Sequence, residues 1–408
     1  MLATFEVWHT MVISGLTNQV WRRICELYKI PTDAKVIPLG GTINRSYQIS
    51  MPGRTKQVLR LYQPGIRTRQ AIHAELMVLA YLSQASDLKV PSPIENKLGQ
   101  FFTTINENNE PEPTQIAMFS YVSGEVIEGV IPSSDMMFRI GQTLGQLDLA
   151  LYSADLAIDP SPSKSRRRWG GEASIDSSLK HLTKHQADYD FLQEDTYGKG
   201  LHPTILEIAD RLRSNYSKLK HFLPHQLLHL DAHLGNLMFD GSRIGILDFD
   251  NMGYGPRLYE LVAPLWSIYW LEMSSNLIDH SSSMPLLTEA LLAGYGVHIQ
   301  LSDLELQGLS LVQAMKLFTA LGWTVQQKDL PRLQRWLVLN GAGTVKRCST
   351  LLDAYEKSLV FSRSDMFRMS LHGGKNTLIK ICSLQGGKDW SKLPRALFRR
   401  IFELMELH

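Results

Sequence analysis

The run His229–Asp250, HLDAHLGNLMFDGSRIGILDFD, gathers the side chains in this chain that are best suited to chemistry. Asp231, Asn236 and Asp248 supply two carboxylates and an amide, which are hard oxygen ligands of the kind that magnesium takes beside a phosphate. Asp240-Gly241 separates two short apolar runs, and this pair favours the turn of a β-hairpin. Such a hairpin would bring Asn236 and Asp248 side by side, with Asp231 on the loop entering the same end. The spacing predicts the beginnings of a phosphotransfer site.

Phosphoryl transfer requires a protein to hold the acceptor hydroxyl in line, to accept its proton and to place cations against the phosphate oxygens. On this interpretation Asp231 is the base, and Asn236 and Asp248 bind magnesium. Taken singly, the three residues fit structural roles at a turn, a loop bend and a strand end. Their combined spacing around one hairpin favours the functional interpretation.

Four histidines suggest a competing metal site. His221, His225, His229 and His233 recur at every fourth position, which on one helix would align them as transition-metal ligands. Pro224 would interrupt such a helix, and the following segment has loop and strand character. We therefore expect His229 to support the loop from beneath and His233 to orient the loop or to contact phosphate.

The elements that must position these residues begin with a small sheet. A helix is predicted at residues 17–29, before Pro31, and a second helix at residues 69–84 has an apolar side with Glu75 near its edge. Together with about five strands they indicate a small sheet with one inserted helix. The predicted strands are Lys35–Leu39, Ser46–Ile49, Gln57–Tyr62, Phe101–Ile105 and Gln115–Tyr121.

From about Gly124 onward the pattern becomes mainly helical. Helices are predicted at residues 134–152 and 203–220, and Pro256 is expected to open another helix at its first turn. The polar stretch at residues 159–200 is interpreted as a long excursion of the kind that often carries specificity or mobility.

The composition limits the function classes. A net charge of +2 over 408 residues argues against a dedicated nucleic-acid binder, because few excess cations are present to neutralise phosphates. Cys25, Cys348 and Cys382 match no metal-ligand spacing and fit a reducing compartment. No basic residue precedes Arg22, so no secretory signal is expected, and the longest apolar stretch, at residues 261–271, is too short to span a bilayer. A cytoplasmic protein without a membrane partner is expected.

Three segments carry the motifs of a known superfamily. The pattern H-G-D-x-H-x-x-N followed by I-D-F-D appears as HLDAHLGN at 229–236 and ILDFD at 246–250. GPRLYEL at 255–261 matches G-P-R-x-x-D-L, with Glu260 in place of the usual Asp, and VLRLYQPG at 58–65 resembles the strand that contacts nucleotide phosphates. Over about residues 35–275 the chain resembles the aminoglycoside phosphotransferase and choline kinase superfamily.

This resemblance implies an α+β, protein-kinase-like bilobal fold, with a small antiparallel-sheet lobe followed by a larger, mainly helical lobe. The nucleotide-binding lobe would comprise residues 1–122, and the catalytic and acceptor-binding lobe residues 123–408. By the same resemblance, Asp231 corresponds to the catalytic base, while Asn236 and Asp248 correspond to the metal ligands. ATP and Mg²⁺ are the implied cofactors.

The phosphate contact departs from the family pattern. Arg60 stands where many relatives carry a lysine, and Glu75 would be its partner. Arginine is always charged and spans two oxygens, so it can still grip phosphates with a different geometry. Lys56 is an alternative contact, with Arg60 then an exposed strand cation. Leu230, between His229 and Asp231, replaces a residue that is usually small or basic, which leaves His229 a mainly structural role.

Further nucleotide contacts are expected near the predicted sheet. The Gly40-Gly41 turn would let backbone amides approach phosphates, or would be a plain hairpin turn, because it lacks G-x-G-x-x-G. Residues 118–122 would form the hinge, where the backbone of Ser120 and Val122 could bond an adenine edge or lie in an ordinary edge strand. Asp250 would add to the metal site or brace its loop.

Two other clusters favour structural roles. Trp266, Tyr269 and Trp270 have the aromatic content of a cage for a quaternary ammonium group, but their helical spacing favours core packing. The basic cluster at residues 166–169 could contact an anionic acceptor or a partner, and a solvated loop is the simpler interpretation.

The acceptor is not determined by these motifs. A hydroxyl group of a small molecule, such as an aminoglycoside, homoserine or a similar alcohol, is favoured because no A-P-E activation-segment signature follows Asp248. The alternatives are a protein Ser/Thr kinase of the same superfamily and a nucleotide-binding pseudokinase that acts as a regulatory module, against which the intact Asp231, Asn236 and Asp248 argue.

Overall fold

A computed structural model describes most of the chain, with side chains up to residue 359. The described residues are 16–31, 34–40, 43–106, 113–158, 167–168, 172–193, 201–274, 283–327 and 330–371. The chain forms two compact units, each assembled from segments that are separate in sequence. The first comprises Met1–Glu128, Gln146–Arg168 and Gln226–Tyr254, and the second Gly129–Gly145, Trp169–His225 and Gly255–His408. The division into lobes at residues 122 and 123 stays a prediction.

The first unit contains a six-stranded antiparallel sheet in the order β1-β2-β3-β6-β4, with β5 also paired to β6. Short alternating or wholly apolar runs between polar turns form these strands, as expected for a sheet with one buried face. The strands are β1 Lys35–Gly40, β2 Arg45–Ser50, β3 Gln57–Tyr62, β4 Pro93–Ile94, β5 Phe102–Ile105 and β6 Thr114–Ser120.

Two helices accompany this sheet. Helix α1, Asn18–Tyr28, is capped by the Thr17 side chain and packs Ile24 and Leu27 into a core that includes Ile49, Leu59 and Ile116 of the sheet. Helix α2, Arg69–Ala85, is capped by Thr68. Its buried side includes Leu76, Leu79 and Leu82, and Glu75 lies on that side too. A carboxylate on a buried helix face requires a specific partner.

The predicted hairpin is present in the same unit. Strand β10, Leu237–Phe239, pairs antiparallel with β11, Ile244–Ile246. Asp240 shapes the connecting loop because its Oδ1 accepts hydrogen bonds from the backbone of Ser242 and Arg243, at 2.9 and 2.8 Å. Strand β7, Glu125–Val126, pairs with the outer side of β10. Gly124 allows this approach, since a Cβ there would lie 2.8 Å from the Phe239 carbonyl.

The remaining elements are a small three-stranded sheet and the helices. Strand β12, Gly253–Pro256, lies between β8, Arg167–Arg168, and β9, His225–Leu228. The helices are α3 Ser134–Ala157, α4 Glu172–Lys184, α5 Pro203–Leu219, α6 Leu258–Ser274, α7 Met284–Tyr295, α8 Asp303–Thr324 and α9 Pro331–Leu371. None of the helices in the described ranges is both long and apolar enough to cross a membrane.

Helices of the second unit pack closely through glycines. A Cβ on Gly141 of α3 would lie 2.1 Å from the Leu291 carbonyl oxygen of α7, and a Cβ on Gly294 would lie 1.9 Å from the Phe138 carbonyl oxygen. Any side chain at either position would force the two backbones apart. Helix α8 packs against α4, α6 and α9, and most of its residues are buried.

The predicted α+β fold class is confirmed, with three local corrections. Pro256 ends strand β12, and the following helix begins at Leu258, because Pro256 lies in an extended segment. Part of the stretch at 159–200 is regular rather than an excursion, since α4 buries Ile175 and Leu182 at helical spacing. The sheet has six strands rather than about five, since the two-residue β4 also pairs with β6.

Candidate active site

The loop from His229 to Asn236 is held by hydrogen bonds within itself. The Asp231 carbonyl accepts from the His233 amide at 2.8 Å and from the Asn236 side-chain Nδ2 at 2.9 Å. Because Nδ2 of Asn236 is used in this way, the Oδ1 atom is the one available to a cation. The Asn236 carbonyl accepts from the Leu247 amide at 2.8 Å, which ties the loop to the strand that leads into Asp248. The structure thus brings Asn236 and Asp248 to one end of the hairpin.

His229 supports this loop from the interior. It is fully buried, its Nε2 lies 2.9 Å from the Leu247 carbonyl, and its Nδ1 accepts from the Asp231 amide at 3.2 Å. Burial lowers its pKa, although the nearby carboxylate of Asp231 opposes the shift. A neutral ring with the proton on Nε2 satisfies both contacts. The structural role predicted for His229 agrees with this geometry.

Asp248 of the predicted site and Leu230, which precedes Asp231, adopt the left-handed backbone region. Leu230 has φ 67° and Asp248 has φ 62°. This conformation costs about 1–2 kcal/mol for a side-chain-bearing residue, whereas glycine adopts it freely. The glycine in the H-G-D pattern is therefore explained by backbone geometry, and the buried Leu230 occupies the same conformation at that cost.

Asp248 and Glu75 both lie against Arg60. The Arg60 Nη1 is 3.1 Å from Asp248 Oδ1 and 3.5 Å from Glu75 Oε1. Burial alone would lower the pKa of Arg60, but Asp248, Tyr62, Glu75 and Asp250 raise it overall. Asp248 Oδ1 and Glu75 Oε2 are buried atoms without a well-aligned hydrogen bond. The guanidinium is therefore the main compensation for two carboxylates.

The Glu75 carboxylate is the most desolvated acid of the site. Only 2% of the residue is exposed, and its Oε1 accepts from the Tyr62 hydroxyl at 3.3 Å. Burial raises its pKa to about 7, and the positive charge of Arg60 limits the shift. The predicted Arg60–Glu75 contact is thus present, while Lys56 lies 5.2 Å from the centre of the Tyr121 ring.

A chain of side chains connects Asp231 to the loops beside β2 and β3. Asn251 donates from Nδ2 to Asp231 Oδ2 at 3.0 Å, and its Oδ1 accepts from Arg67 Nη2 at 3.4 Å. Arg67 also lies 3.4 Å from Asp250 Oδ1, and Asp250 Oδ2 accepts from Asn44 Nδ2 at 3.0 Å. Asp250 is therefore held by Arg67 and Asn44, as expected for a residue that braces its loop.

The charged side chains around Asp250 lie close enough to change its pKa. Burial raises its pKa to about 6, the charge of Asp248 raises it further, and Arg67 and Arg60 oppose the shift. Asp231 also contributes in the raising direction. Three carboxylates and two guanidinium groups thus share one electrostatic environment, in which a bound cation would offset the excess of negative charge.

The donor set near the hairpin fits magnesium better than zinc. Across the described part of the chain, no group of three or more His, Cys, Asp and Glu side chains could hold a metal ion. His221 lies in a 3-10 turn and His225 opens β9, so the four histidines do not share a helix. Asn236 Oδ1 and the Asp248 carboxylate remain as two oxygen donors. Two protein donors suffice for Mg²⁺, which usually completes its octahedron with water and substrate phosphates.

Of the residues predicted to contact the nucleotide, Gly40, Ser120 and Val122 lie within the described residues. Gly40 ends β1 with φ 79° and with open space around its Cβ position, while Gly41 lies outside the described residues. The Ser120 amide donates to the Ser92 carbonyl at 2.8 Å, so within the described structure this amide is already used. Val122 is buried, and its Cγ1 would lie 2.6 Å from a Cβ on Gly245. The side chain of Val122 therefore packs against β11 at Gly245.

The aromatic cluster differs somewhat from the predicted core packing. Tyr269 is buried, whereas Trp266 and Trp270 are half-buried. Trp270 stacks on Trp336 with ring centres 3.9 Å apart. Lys316 Nζ stands 5.6 Å from the centre of the Trp266 ring. In the basic cluster at 166–169, only the backbone of β8 lies within the described residues.

Sequence reasoning missed Asn44, Arg67 and Asn251. Asn251 directly follows the I-L-D-F-D motif, so its position next to Asp250 and close to Asp248 could have indicated that it belongs to the site. Asn44 and Arg67 lie about two hundred residues from their partners, and only the fold brings them there.

Comparison with protein families gives one match that covers well over half of the chain. A model described as "Phosphotransferase enzyme family" matches residues 33–296. A protein of Deinococcus radiodurans, described as uncharacterized, is 22% identical over 289 residues, which is 66% of this chain and 76% of that protein.

Solved structures of kinases resemble this fold at low sequence identity. An amicoumacin kinase in complex with AMP-PNP, Ca²⁺ and its ligand has a TM-score of 0.62 at 17% identity, covering 85% of this chain and 96% of that chain. A microcompartment-associated aminopropanol kinase has a TM-score of 0.59 at 17% identity, covering 84% and 98%. A spectinomycin phosphotransferase in complex with ADP and spectinomycin has a TM-score of 0.56 at 14% identity, covering 83% and 99%. These likenesses support the kinase-like fold.

Proposed function

Because the chain belongs to the phosphotransferase enzyme family, we propose that it transfers the γ-phosphoryl group of ATP to a hydroxyl group of a small molecule. The observation that carries this proposal is the gathering of Asp231, Asn236 and Asp248 around one hairpin end, with Arg60 against Asp248. These are the groups that phosphoryl transfer requires: a base, oxygen donors for a cation and a positive charge for phosphate.

In the proposed reaction, Asp231 accepts the proton of the acceptor hydroxyl as that oxygen attacks the γ-phosphorus. The bond from the γ-phosphorus to the bridging oxygen breaks, and ADP leaves with the electron pair. Asn251 orients the Asp231 carboxylate through its 3.0 Å hydrogen bond to Oδ2. A general base must be held within hydrogen-bond reach of the proton that it accepts.

Nucleotide binding would use residues of the six-stranded sheet, in strands β1 and β3. Arg60, held between Glu75 and Asp248, supplies positive charge for phosphate oxygens, and Gly40 offers a backbone without a side chain. Asn236 and Asp248 would hold Mg²⁺, which supplies charge neutralisation on the phosphates when bound. An adenine edge would use the Val122 backbone and the Ser120 carbonyl rather than the occupied Ser120 amide.

The acceptor class is proposed from the family and from the kinases of similar fold. Those kinases are named for amicoumacin, aminopropanol and spectinomycin, which are small molecules. A protein Ser/Thr kinase is disfavoured because no A-P-E signature follows Asp248. A pseudokinase is disfavoured because Asp231, Asn236 and Asp248 are all retained.

A panel of hydroxyl-bearing metabolites, amino alcohols and aminoglycosides with ATP and Mg²⁺ tests the proposal, with phosphorylated product detected by mass spectrometry. On the best substrate, Asp231→Asn is expected to lower kcat by about 10²–10⁴-fold, the usual contribution of a general base, with unchanged nucleotide affinity. Asp248→Ala is expected to abolish the magnesium dependence of nucleotide binding.

Asp87→Asn, at an exposed carboxylate of the same unit, is the matched control and should retain activity. Wild-type turnover in Asp231→Asn would overturn the assignment of the base. ATP binding without any product across the panel would instead favour the pseudokinase.

A further inference from the structure

The Asn251 side chain lies between a carboxylate and a guanidinium. Its Nδ2 donates to Asp231 Oδ2 at 3.0 Å, and its Oδ1 accepts from Arg67 Nη2 at 3.4 Å. An ionised carboxylate only accepts hydrogen bonds, and a guanidinium only donates them. A reversed amide would therefore set its oxygen against the carboxylate and its NH₂ group against the cation. Arg67 and Asp231 together fix which end of the Asn251 amide faces the predicted base.

Arg67 is held beside Asn251 by the preceding residue, Asp250. The Arg67 Nη2 atom also lies 3.4 Å from Asp250 Oδ1, and the two side chains are 17% and 8% exposed. Charges that are largely shielded from water attract each other more strongly than charges on the open surface. The same nitrogen therefore contacts an acid and the amide oxygen of the next residue along the chain. Arg67 itself lies on the connection from β3 to α2, so this contact joins that connection to the loop after β11.

Asn44 ties the same connection to the same acid. Its Nδ2 donates to Asp250 Oδ2 at 3.0 Å, and its Oδ1 accepts from the Gln63 amide at 3.2 Å. Gln63 directly follows β3, and Asn44 directly precedes β2. All of these residues belong to the first unit. Asp250 is thus fixed relative to β2 and β3, and with it the backbone from which the Asn251 side chain extends.

We propose that Arg67 is a positioning residue for the predicted base: it fixes the orientation of the Asn251 amide, which in turn holds the Asp231 carboxylate. Arg67 acts through Asn251 and does not need to contact the reacting atoms. Without Arg67 the amide keeps a single charged neighbour, so the amide and the carboxylate sample a wider range of orientations, and misplacement of a base slows proton transfer. The effect on turnover rests on the proposed function, whereas the effect on the Asn251 amide does not.

NMR of the full-length protein, isotopically labelled at its asparagine nitrogens, tests the effect on the amide. The side-chain NH₂ signal of Asn251 is assigned by its loss in Asn251→Ala. We expect Arg67→Met to shift or broaden this signal, and Arg67→Lys, which keeps a cation that only donates, to return it towards the wild-type position. Arg23→Met, at an exposed arginine of α1, is the control and should leave the signal in place. An identical Asn251 signal in Arg67→Met and wild type would overturn the inference.

Steady-state kinetics with the best acceptor test the effect on turnover. Arg67→Met should lower kcat by about three- to tenfold, with about a threefold change or less in the KM for ATP. In the Asn251→Ala background, adding Arg67→Met should lower kcat by less than about twofold, because the residue through which Arg67 acts is absent. Single effects that multiply in the double variant would refute the proposal, since a general loosening of the fold would act independently of Asn251.

Arg67→Met leaves the buried Asp250 without its cation and so could fail to fold. In that event the Asn251 signal is compared between Asp250→Asn and the double variant Asp250→Asn, Arg67→Met, in which the acid that Arg67 offsets is neutral. A signal that differs between these two proteins supports the role of Arg67, and an unchanged signal refutes it. If wild type phosphorylates no acceptor, the proposed function fails, while the Asn251 signal still decides whether Arg67 orients the amide.

Discussion

The arginine of the G-P-R motif is predicted to stabilise the helical unit rather than to act in catalysis. Arg257 forms a two-pronged ion pair with Glu305, from Nε to Oε1 at 2.5 Å and from Nη2 to Oε2 at 2.8 Å. The Glu305 side chain is 1% exposed and that of Arg257 is 18% exposed. Glu305 also completes the capping box of α8, since its Oε2 accepts from the Ser302 amide and hydroxyl at 2.9 and 2.8 Å.

Arg257→Ala leaves the Glu305 charge buried with only its Ser302 partners. Breaking a buried ion pair by removing one side costs about 3–5 kcal/mol. Glu305 keeps its hydrogen bonds from Ser302 and Arg257 is partly exposed, so we expect a loss of unfolding free energy at the lower end of this range, about 3 kcal/mol. For a unit of this size, that loss corresponds to a Tm decrease of roughly 6–12 °C. Arg139→Ala, which removes an exposed pair with Asp135, should cost at most about 0.5 kcal/mol.

Differential scanning calorimetry and chemical denaturation of both variants measure these costs. Burial would raise the pKa of Glu305, but hydrogen bonds from Arg257 and Ser302 lower it overall. A lowered pKa in the folded state adds stability above the unfolded pKa, and this contribution is lost as the pH falls through the folded pKa. The difference between wild type and Arg257→Ala should therefore shrink in acid. A loss below about 1 kcal/mol at neutral pH, or a difference that grows in acid, would refute the reasoning.

Two further predictions concern the predicted base and the thiols. Asn251→Ala should lower kcat about tenfold, with a threefold change or less in the KM for ATP, because one hydrogen bond to the half-exposed Asp231 carboxylate is lost. Asn106→Ala, at an exposed asparagine, is the control. Steady-state kinetics that show an effect of Asn251→Ala on KM alone would contradict this role. Burial raises the pKa of Cys25 to about 11 and that of Cys348 to about 12. Both thiols, the half-buried Cys25 and the buried Cys348, should therefore resist iodoacetamide at pH 8 until guanidinium unfolds the protein. Peptide mapping that finds either one rapidly alkylated in the native protein would contradict these raised pKa values.

The local part of the predicted site follows from sequence because each of its features depends on near neighbours. The β10–β11 hairpin needs only two apolar runs and the Asp240 loop between them. Once that hairpin forms, the positions of Asn236 and Asp248 at its open end follow from strand register. The Arg60–Glu75 contact was predictable for a different reason, since it came from the resemblance to a family and not from spacing.

The rest of the site depends on contacts that sequence spacing does not encode. Asn44 reaches Asp250, and Arg67 reaches both Asp250 and Asn251, only after the sheet and the hairpin lie together within the first unit. The helix α4 was missed because its polar content outweighs the few apolar residues on its buried side. The left-handed backbone at Leu230 was equally hidden, since leucine is a rare choice for that conformation.

Arginine in place of the family's usual lysine is accounted for by the charges around it. Lysine presents one compact charge, whereas Arg60 spreads its charge over a fork whose Nη1 alone reaches both Glu75 and Asp248. The site is unusually acidic, because Asp231, Asp248 and Asp250 share one environment with the desolvated Glu75. Phe119 adds a ring face, with its centre 5.6 Å from the guanidinium carbon. A flat, delocalised cation can contact the ring and two carboxylates at once, which offsets part of the negative charge gathered around the half-buried Arg60.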